Sequence, residues 1–225
     1  MAPLLTGSVL GLQVGRPASL AWRSKIVTTA IVKHAVAGPV ALRRDGFEGD
    51  QQGDLRSHGG ADKAVCCYPL EHMPEWERRL GLHLEPGAFG ENLSVAGLPE
   101  DRIHIGDVLA AGSATVQISQ PRPPCYKLAA LWDRPRLPGL MAKSGSSGYY
   151  LRVVSEGHVA PGDTLELLER TSAVSVREVL RVSFRDRDDE DAVRAVLAEP
   201  LLAERWREML TTLARRKRLP SFTAS

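Results

Sequence analysis

Cysteine is scarce in this chain. Three occur in 225 residues, two of them adjacent at 66 and 67, so no disulfide framework is available to staple the fold. No apolar run approaches the about 20 residues that a membrane-spanning helix needs. The N-terminal stretch M-A-P-L-L-T-G-S-V-L lacks a basic segment followed by a long apolar core, so a secretory signal is not expected. Net charge is also lacking: at +2 the bulk balance argues for neither nucleic acid nor a membrane as partner. A reducing cytoplasm is the simplest compartment.

The familiar motifs for metals and nucleotides are missing too. There is no CxxC pair, and Cys66 and Cys67 are neighbours on an expected strand, where successive side chains face opposite ways. The histidines at 34, 58, 72, 83, 104 and 158 show neither HExxH nor His-x3-His spacing. A P-loop, a GxGxxG fingerprint and a GxSxG elbow are absent. So is any motif for flavin, nicotinamide or an iron–sulfur cluster. No internal repeat or low-complexity segment is present.

What is present divides into two regions. A hydrophobic share of 43% is enough for a real core. Residues 1–169 are rich in Gly and Pro and carry short apolar runs bounded by turn residues. Ser8–Val14, Ile26–Lys33, Ala64–Tyr68, Val108–Ala111, Ala114–Ser119, Tyr149–Val154 and Thr164–Leu168 read as strands. Ala111-Gly112-Ser113 marks a hairpin, and Glu71–Leu82 reads as a helix. The fold class expected is mainly β, a barrel or sandwich. Residues 170–225 contain no glycine and read as three helices. Ser175-Val-Arg-Glu178 is a capping box for the first. The acidic cluster Asp188–Asp191 suits the start of the second. Pro200 is placed to start the third, which carries Leu202, Trp206, Met209, Leu210 and Leu213.

The chemistry concentrates at Cys125, in Q-P-R-P-P-C-Y-K. Prolines at 121, 123 and 124 fix φ and lack an N–H donor, so the chain is expected to leave its strand there and stiffen. Arg122 and Lys127 flank the thiol, and nearby cations favour the thiolate, the form that attacks or binds metal. The alternative is a small buried cysteine in a Pro-rich turn. Three other segments carry polar residues that strands and cores rarely use: F-E-G-D-Q-Q-G-D-L-R at 47–56, H-G-G-A-D-K-A-V at 58–65 and F-G-E-N-L at 89–93. His58-Gly59-Gly60, followed by Lys63, is a turn whose backbone N–H groups can approach an anion. The Asn92 amide, which both donates and accepts, can orient a heterocycle. Each of these segments also reads as a plain turn.

In this order the segments resemble the MOSC domain, named for the C-terminal domain of molybdenum-cofactor sulfurase, in its YiiM-like bacterial branch. The matching residues are E-G-D at 48–50, H-G-G-x-D-K-A-V at 58–65 with Tyr68 and His72, F-G-E-N-L at 89–93, I-G-D at 105–107 and Q-P-R-x-P-C-x-K at 120–127. The resemblance implies a barrel-like MOSC domain over residues 1–169 and a three-helix extension over 170–225. It implies a pyranopterin molybdenum cofactor, with Cys125 completing the sulfur ligation of the metal. Its phosphate would be cradled by His58, Gly59, Gly60, Lys63, Arg122 and Lys127, and Asn92 would be a further cofactor-binding residue. The activity implied is reduction of small N-hydroxylated compounds, including purine bases, with electrons from a separate reductase. A non-catalytic carrier of the cofactor or of sulfur needs the same residues and stays open, as does the oligomeric state.

Overall fold

The computed structural model describes residues 5–53 and 59–218, with side chains to 214. Along the chain, β1 (Thr6–Val14) is followed by β2 (Ala18–Trp22), β3 (Lys25–Thr29), β4 (His34–Ala35), β5 (Val40–Arg43) and β6 (Gly46–Phe47). Next come β7 (Val65–Pro69), α1 (Met73–Leu80), β8 (Leu93–Ala96), β9 (Val108–Ala111) and β10 (Ala114–Pro121). After Cys125 the chain forms α2 (Tyr126–Trp132) and α3 (Leu137–Ser144), then β11 (Tyr149–Ser155), β12 (Gly157–Val159) and β13 (Thr164–Glu169). Three further helices follow: α4 (Val176–Phe184), α5 (Glu190–Ala198) and α6 (Glu204–Arg218).

Seven strands close into a barrel in the order β13-β9-β10-β11-β7-β8-β1, sealed by pairing of β1 with β13. Neighbours run antiparallel except β7 and β8, which are parallel. Parallel partners need a crossover, and residues 70–92, with α1, supply it. In β1 exposure alternates from Thr6 to Leu10, as a strand with one face on a core requires. A bulge between Val9 and Gly11 then shifts the phase, and Gly11, Leu12 and Gln13 are all buried. The Val108–Ala111 and Ala114 runs form the expected hairpin, with Gly112 in the left-handed region at φ 57°.

The helical tail is built onto the barrel core. Val176, Val179, Leu180 and Val182 of α4 and Trp206 and Leu210 of α6 belong to the same buried apolar cluster as Val9, Leu109 and Ile118 of the barrel. Ser175 caps α4 by accepting the Glu178 N–H, whereas the Glu178 carboxylate turns to Arg181, so only half of the capping box forms. Asp189 caps α5 through the Ala192 N–H. At the junction Asp107, fully buried, accepts two hydrogen bonds from Arg170 at 2.8 and 2.6 Å.

Several expectations need correction. The run 26–33 is not one strand. β3 stops at Thr29, whose hydroxyl accepts the Ile31 N–H at 3.2 Å and turns the backbone out of the ladder. Pro121 does not end β10 early; it still pairs with Tyr149, a place at a strand end where no N–H is needed. Helix α6 begins at Glu204 rather than at Pro200, because the Ala203 N–H is drawn to the Ser119 carbonyl of β10. Helices α2 and α3 stand where none was expected.

Candidate functional site

An open cavity of about 80 Å³ lies where the end of β10 meets the loops around residues 30, 51 and 90. It gathers Lys63, Cys66, Asn92, Arg122, Cys125 and Lys127, residues from three separate stretches of sequence. Five of these six were singled out by sequence. Cys66 was not.

Cys125 follows the proline segment and serves as the N-cap of α2. Its backbone is extended, at φ −120° and ψ 160°, and its Sγ accepts the Lys127 N–H at 3.3 Å. This half-exposed thiol therefore faces the cavity on a fixed backbone. Arg122, three residues earlier, is buried, and its Nη2 donates to the Phe89 carbonyl. The other terminal nitrogen, Nη1, is buried with no hydrogen-bond partner among the described residues. Burial works against the guanidinium charge, but Cys66, Tyr150, Glu91 and Cys125 around it raise its pKa above the ordinary arginine value. A permanently charged donor that lines the cavity and has an unpartnered NH₂ group is suited to receive an anion.

Lys63 is also buried. Its Nζ stands 6.0 Å from the centre of the Tyr150 ring. The turn that carries it is docked on the barrel, because Ser119 Oγ donates to the Asp62 carbonyl at 2.6 Å and Asp62 pairs with Arg152 at 2.8 Å. Gly60, at φ 100°, precedes that turn. Gly59 and Gly60 are not among the described lining residues, and His58 lies outside the described residues.

Asn92 lines the cavity while its amide is held by protein. Oδ1 accepts the Cys66 N–H at 3.1 Å, and Nδ2 donates to the Gln13 carbonyl at 3.2 Å and to Asp50 Oδ2 at 2.8 Å. Asp50 in turn accepts from Lys33 Nζ at 2.5 Å and from the Gly15 N–H at 2.7 Å. Asn92 is thus the node that joins β1, β7 and the E-G-D loop. Neighbouring Glu91 closes its own loop by accepting the Gly87 and Phe89 N–H groups and the Ser94 hydroxyl. Gly90 carries φ 75°, and a Cβ there would stand 2.7 Å from the Ile31 carbonyl oxygen, so only glycine lets the two loops touch. His72 is not among the described lining residues and is bonded to buried Glu100 at 2.6 Å.

Cys66 and Cys67 do face opposite ways. Cys67 joins the barrel core and Cys66 lines the cavity. Burial raises the Cys66 thiol pKa, and Arg122 pulls it part of the way down. The signal available in sequence was strand alternation, which says that one of two adjacent cysteines must leave the core. Lys33 carried no local signal, since its role depends on the break after Thr29. Among the described residues no three His, Cys, Asp or Glu side chains come together as a metal cage. The soft donors at the cavity are the two thiols.

A closed barrel with a thiol on the loop after β10, facing a basic cavity, defines a MOSC-type protein. The MOSC domain model matches residues 54–166, and the chain belongs to that family. The YiiM-like 3-alpha helix domain matches residues 174–213. YflK of Bacillus subtilis (strain 168) is 45% identical over 201 residues, 89% of this chain and 91% of that protein. The crystal structure of YiiM from Geobacillus stearothermophilus is 38% identical with a TM-score of 0.79, over 92% of this chain and 99% of that one. A protein named reductase from Gibberella moniliformis (strain M3125 / FGSC 7600) is 34% identical over 78% of this chain but only 32% of its own length. No helix among the described residues is long and apolar enough to cross a membrane.

Proposed function

We propose that this protein binds the molybdenum cofactor and reduces small N-hydroxylated compounds, with electrons delivered by a separate reductase. The observation that carries the reading is that one cavity is lined both by Cys125 and by Arg122, whose buried Nη1 has no partner among the described residues. A soft thiol suits molybdenum, and an unused guanidinium N–H suits a phosphate. The soft donors at the cavity, the Cys125 and Cys66 thiols, suit a metal that arrives already held by other sulfur ligands.

When bound, the cofactor supplies two-electron chemistry with acceptance of an oxygen atom. The balance is R–NHOH + 2 e⁻ + 2 H⁺ → R–NH₂ + H₂O, with both electrons from the reductase. Cys125 would ligate the metal from the rigid start of α2. Arg122, Lys63 and Lys127 would hold the anionic end, and the Asn92–Asp50–Lys33 network keeps the opposite wall in place. The similarity to a longer protein named reductase supports a reductive role.

The test is expression in a host that makes the cofactor, molybdenum analysis of the purified protein, and turnover of an N-hydroxylated amine with reduced viologen. Cys125→Ser should keep the fold, because serine also caps a helix, and lose turnover. Molybdenum-free protein from such a host would overturn the reading. Loaded protein without turnover would assign it to the carrier role instead.

A further inference from the structure

Positive charge is concentrated in one stretch of the chain. Residues 1–44 hold six Lys or Arg and no Asp or Glu, although the whole chain holds 29 and 27. Two of the six are paired internally, Lys33 with Asp50 and Arg43 with Glu156. Arg16, Arg23 and Lys25 are exposed, and none of them forms an ion pair among the described residues. They frame the β2–β3 ribbon, which pairs with no other described strand. Alternation gives this ribbon two faces. Leu20, Trp22 and Val27 are half-buried on one, where Leu20 packs against the cluster that holds Leu128 of α2. Ser19, Ala21, Ile26 and Thr28 form the other and are exposed, Ile26 by 76%. At the tip Arg23 takes φ 55°, a left-handed position where glycine or asparagine is the usual choice, so the turn itself gives no reason for an arginine. The ribbon also borders the cavity. β3 ends at Thr29, and Thr29, Ala30 and Ile31 line that space. β2 packs on α2, the helix that Cys125 caps. In the turn after α2, Arg134 and Arg136 are exposed, with Asp133 the one acid there.

We infer that the outer face of the β2–β3 ribbon, with the cations around it, is the docking surface for an acidic electron-carrier protein that delivers its electrons at the cavity mouth. The inference rests on the proposed reductase reading for what the partner delivers, but binding of an acidic protein does not depend on it. Charge selects this occupant. A second copy of the chain would set cation against cation across a symmetric contact. A lipid surface would engage the tip, whereas the unpaired cations run from Arg23 and Lys25 at the tip to Arg16 at the foot. The face itself has an apolar side chain among small residues and charge at its rim, as protein interfaces do. Scale agrees with this placement. Electron-transfer encounters bury roughly 600 Å² a side, a patch about 28 Å across. The five residues of β3 span about 17 Å, so a partner seated on the ribbon also covers the cavity mouth. The donor gives up two electrons for each R–NHOH reduced and leaves oxidised, in two visits if it carries one electron.

The experiment uses the full-length protein, with flavodoxin and a plant-type ferredoxin as acidic probes and reduced methyl viologen as a small donor that needs no docking. Binding is read by calorimetry, and turnover with each reduced donor is read on molybdenum-loaded protein. At least one acidic probe should bind at about 20 mM salt and weaken about tenfold by about 200 mM. Arg23→Glu combined with Lys25→Glu should weaken binding about tenfold at low salt and slow turnover with that probe to match, while viologen turnover stays within about twofold. Ile26→Ser should weaken binding and leave its salt dependence unchanged. Arg194→Glu, an equally exposed charge reversal on α5, should change neither. Melting curves check that each variant is folded, and Arg16→Glu is a further variant should the paired substitution fail to fold. Refusal of both probes by the unaltered protein, unchanged binding in the folded ribbon variants, or an equal loss in Arg194→Glu overturns the inference. So does tighter binding to phosphatidylglycerol vesicles that the ribbon substitutions abolish, which would assign the surface to lipid. Failure of the reductase reading appears separately, as probe binding that depends on Arg23 and Lys25 in molybdenum-loaded protein that turns over with no donor.

Discussion

Asn92→Ala tests whether this residue is part of the scaffold or part of the ligand cradle. The substitution removes three hydrogen bonds, at 3.1, 3.2 and 2.8 Å. It strands the Cys66 N–H and the Gln13 carbonyl, each at roughly 1–3 kcal/mol when buried, and takes a donor from the Asp50 carboxylate at roughly 1.5–3 kcal/mol. These contributions overlap, and water from the cavity can reach some of the exposed groups, so a loss near the low end, about 3–4 kcal/mol, is expected. That is a large part of the 5–15 kcal/mol typical of a folded domain. With a slope near 2 kcal/mol/M, the urea midpoint should fall by about 1.5–2 M. Asn92→Asp provides the electrostatic control. It sets a second carboxylate where Nδ2 now stands, 2.8 Å from Asp50 Oδ2. One member of such a pair has its pKa raised in the folded state above the unfolded value of about 3.9. The folded variant then holds a proton that the unfolded chain releases. Its deficit is therefore smallest below about pH 4 and grows as pH rises through the raised value. Equilibrium urea unfolding followed by tryptophan fluorescence at pH 4 and pH 7 measures both effects. A midpoint within about 0.3 M of the unaltered protein for Asn92→Ala, combined with loss of molybdenum, would refute the scaffold argument and make Asn92 a ligand residue.

Arg122→Lys keeps the charge but gives up the fork. The Phe89 carbonyl loses its donor, so the melting temperature should fall by a few degrees (roughly 1–2 kcal/mol at 2–4 °C each) and molybdenum content should drop; unchanged content would remove Arg122 from the cradle. A chain ending near Arg170 loses Val176, Val179, Leu180 and Val182, each at most 1% exposed and packed in the barrel's own cluster. At about 1.5–3 kcal/mol per buried side chain, the remaining barrel should not unfold cooperatively, and a sharp two-state melt of the truncated chain would contradict this. Burial and nearby Arg170 lower the His104 pKa below its ordinary value of 6.5, so the fold favours the neutral ring. The stability this contributes is present above about pH 6.5 and is lost as pH falls through the lowered value. His104→Gln should flatten the acid limb of a melting-temperature profile between pH 7 and pH 4; an unchanged slope would exclude the role.

The barrel strands were legible where short apolar runs with β-branched residues are bounded by Gly, Pro or Asp, as in β1, β10 and β11. The short strand Gly157–Val159 exists because residues 40–42, more than a hundred positions earlier, hold it, and no local pattern announces that. Helix α2 was hidden by its own start, since three prolines before Cys125 read as rigid loop although the thiol is a helix cap. Of the candidate site, Cys125, Arg122, Lys63 and Lys127 were visible as charge around a thiol. The second thiol and the Lys33–Asp50 pair were not, because residues 33, 50 and 66 meet only after the crossover from β7 to β8 brings Asn92 between them. His72 and Glu91 were motif residues, and in the structure His72 bonds the buried Glu100 carboxylate while Glu91 accepts from the backbone of its own loop.

The seam between β1 and β13 has a consequence for how the chain is born. Thr6 pairs with Glu166, a separation of about 160 residues read from that register. At roughly 5–20 residues per second, the first strand waits on the order of ten to thirty seconds on the ribosome before its partner is made. Throughout that interval Thr6–Ser8 is an unpaired strand edge, the kind that recruits other chains. The last strand and the helices after it then close the barrel and cover its core almost together. Slowing synthesis just before residue 164 should therefore raise aggregation of the nascent chain, whereas a pause placed after α6 should leave its yield unchanged.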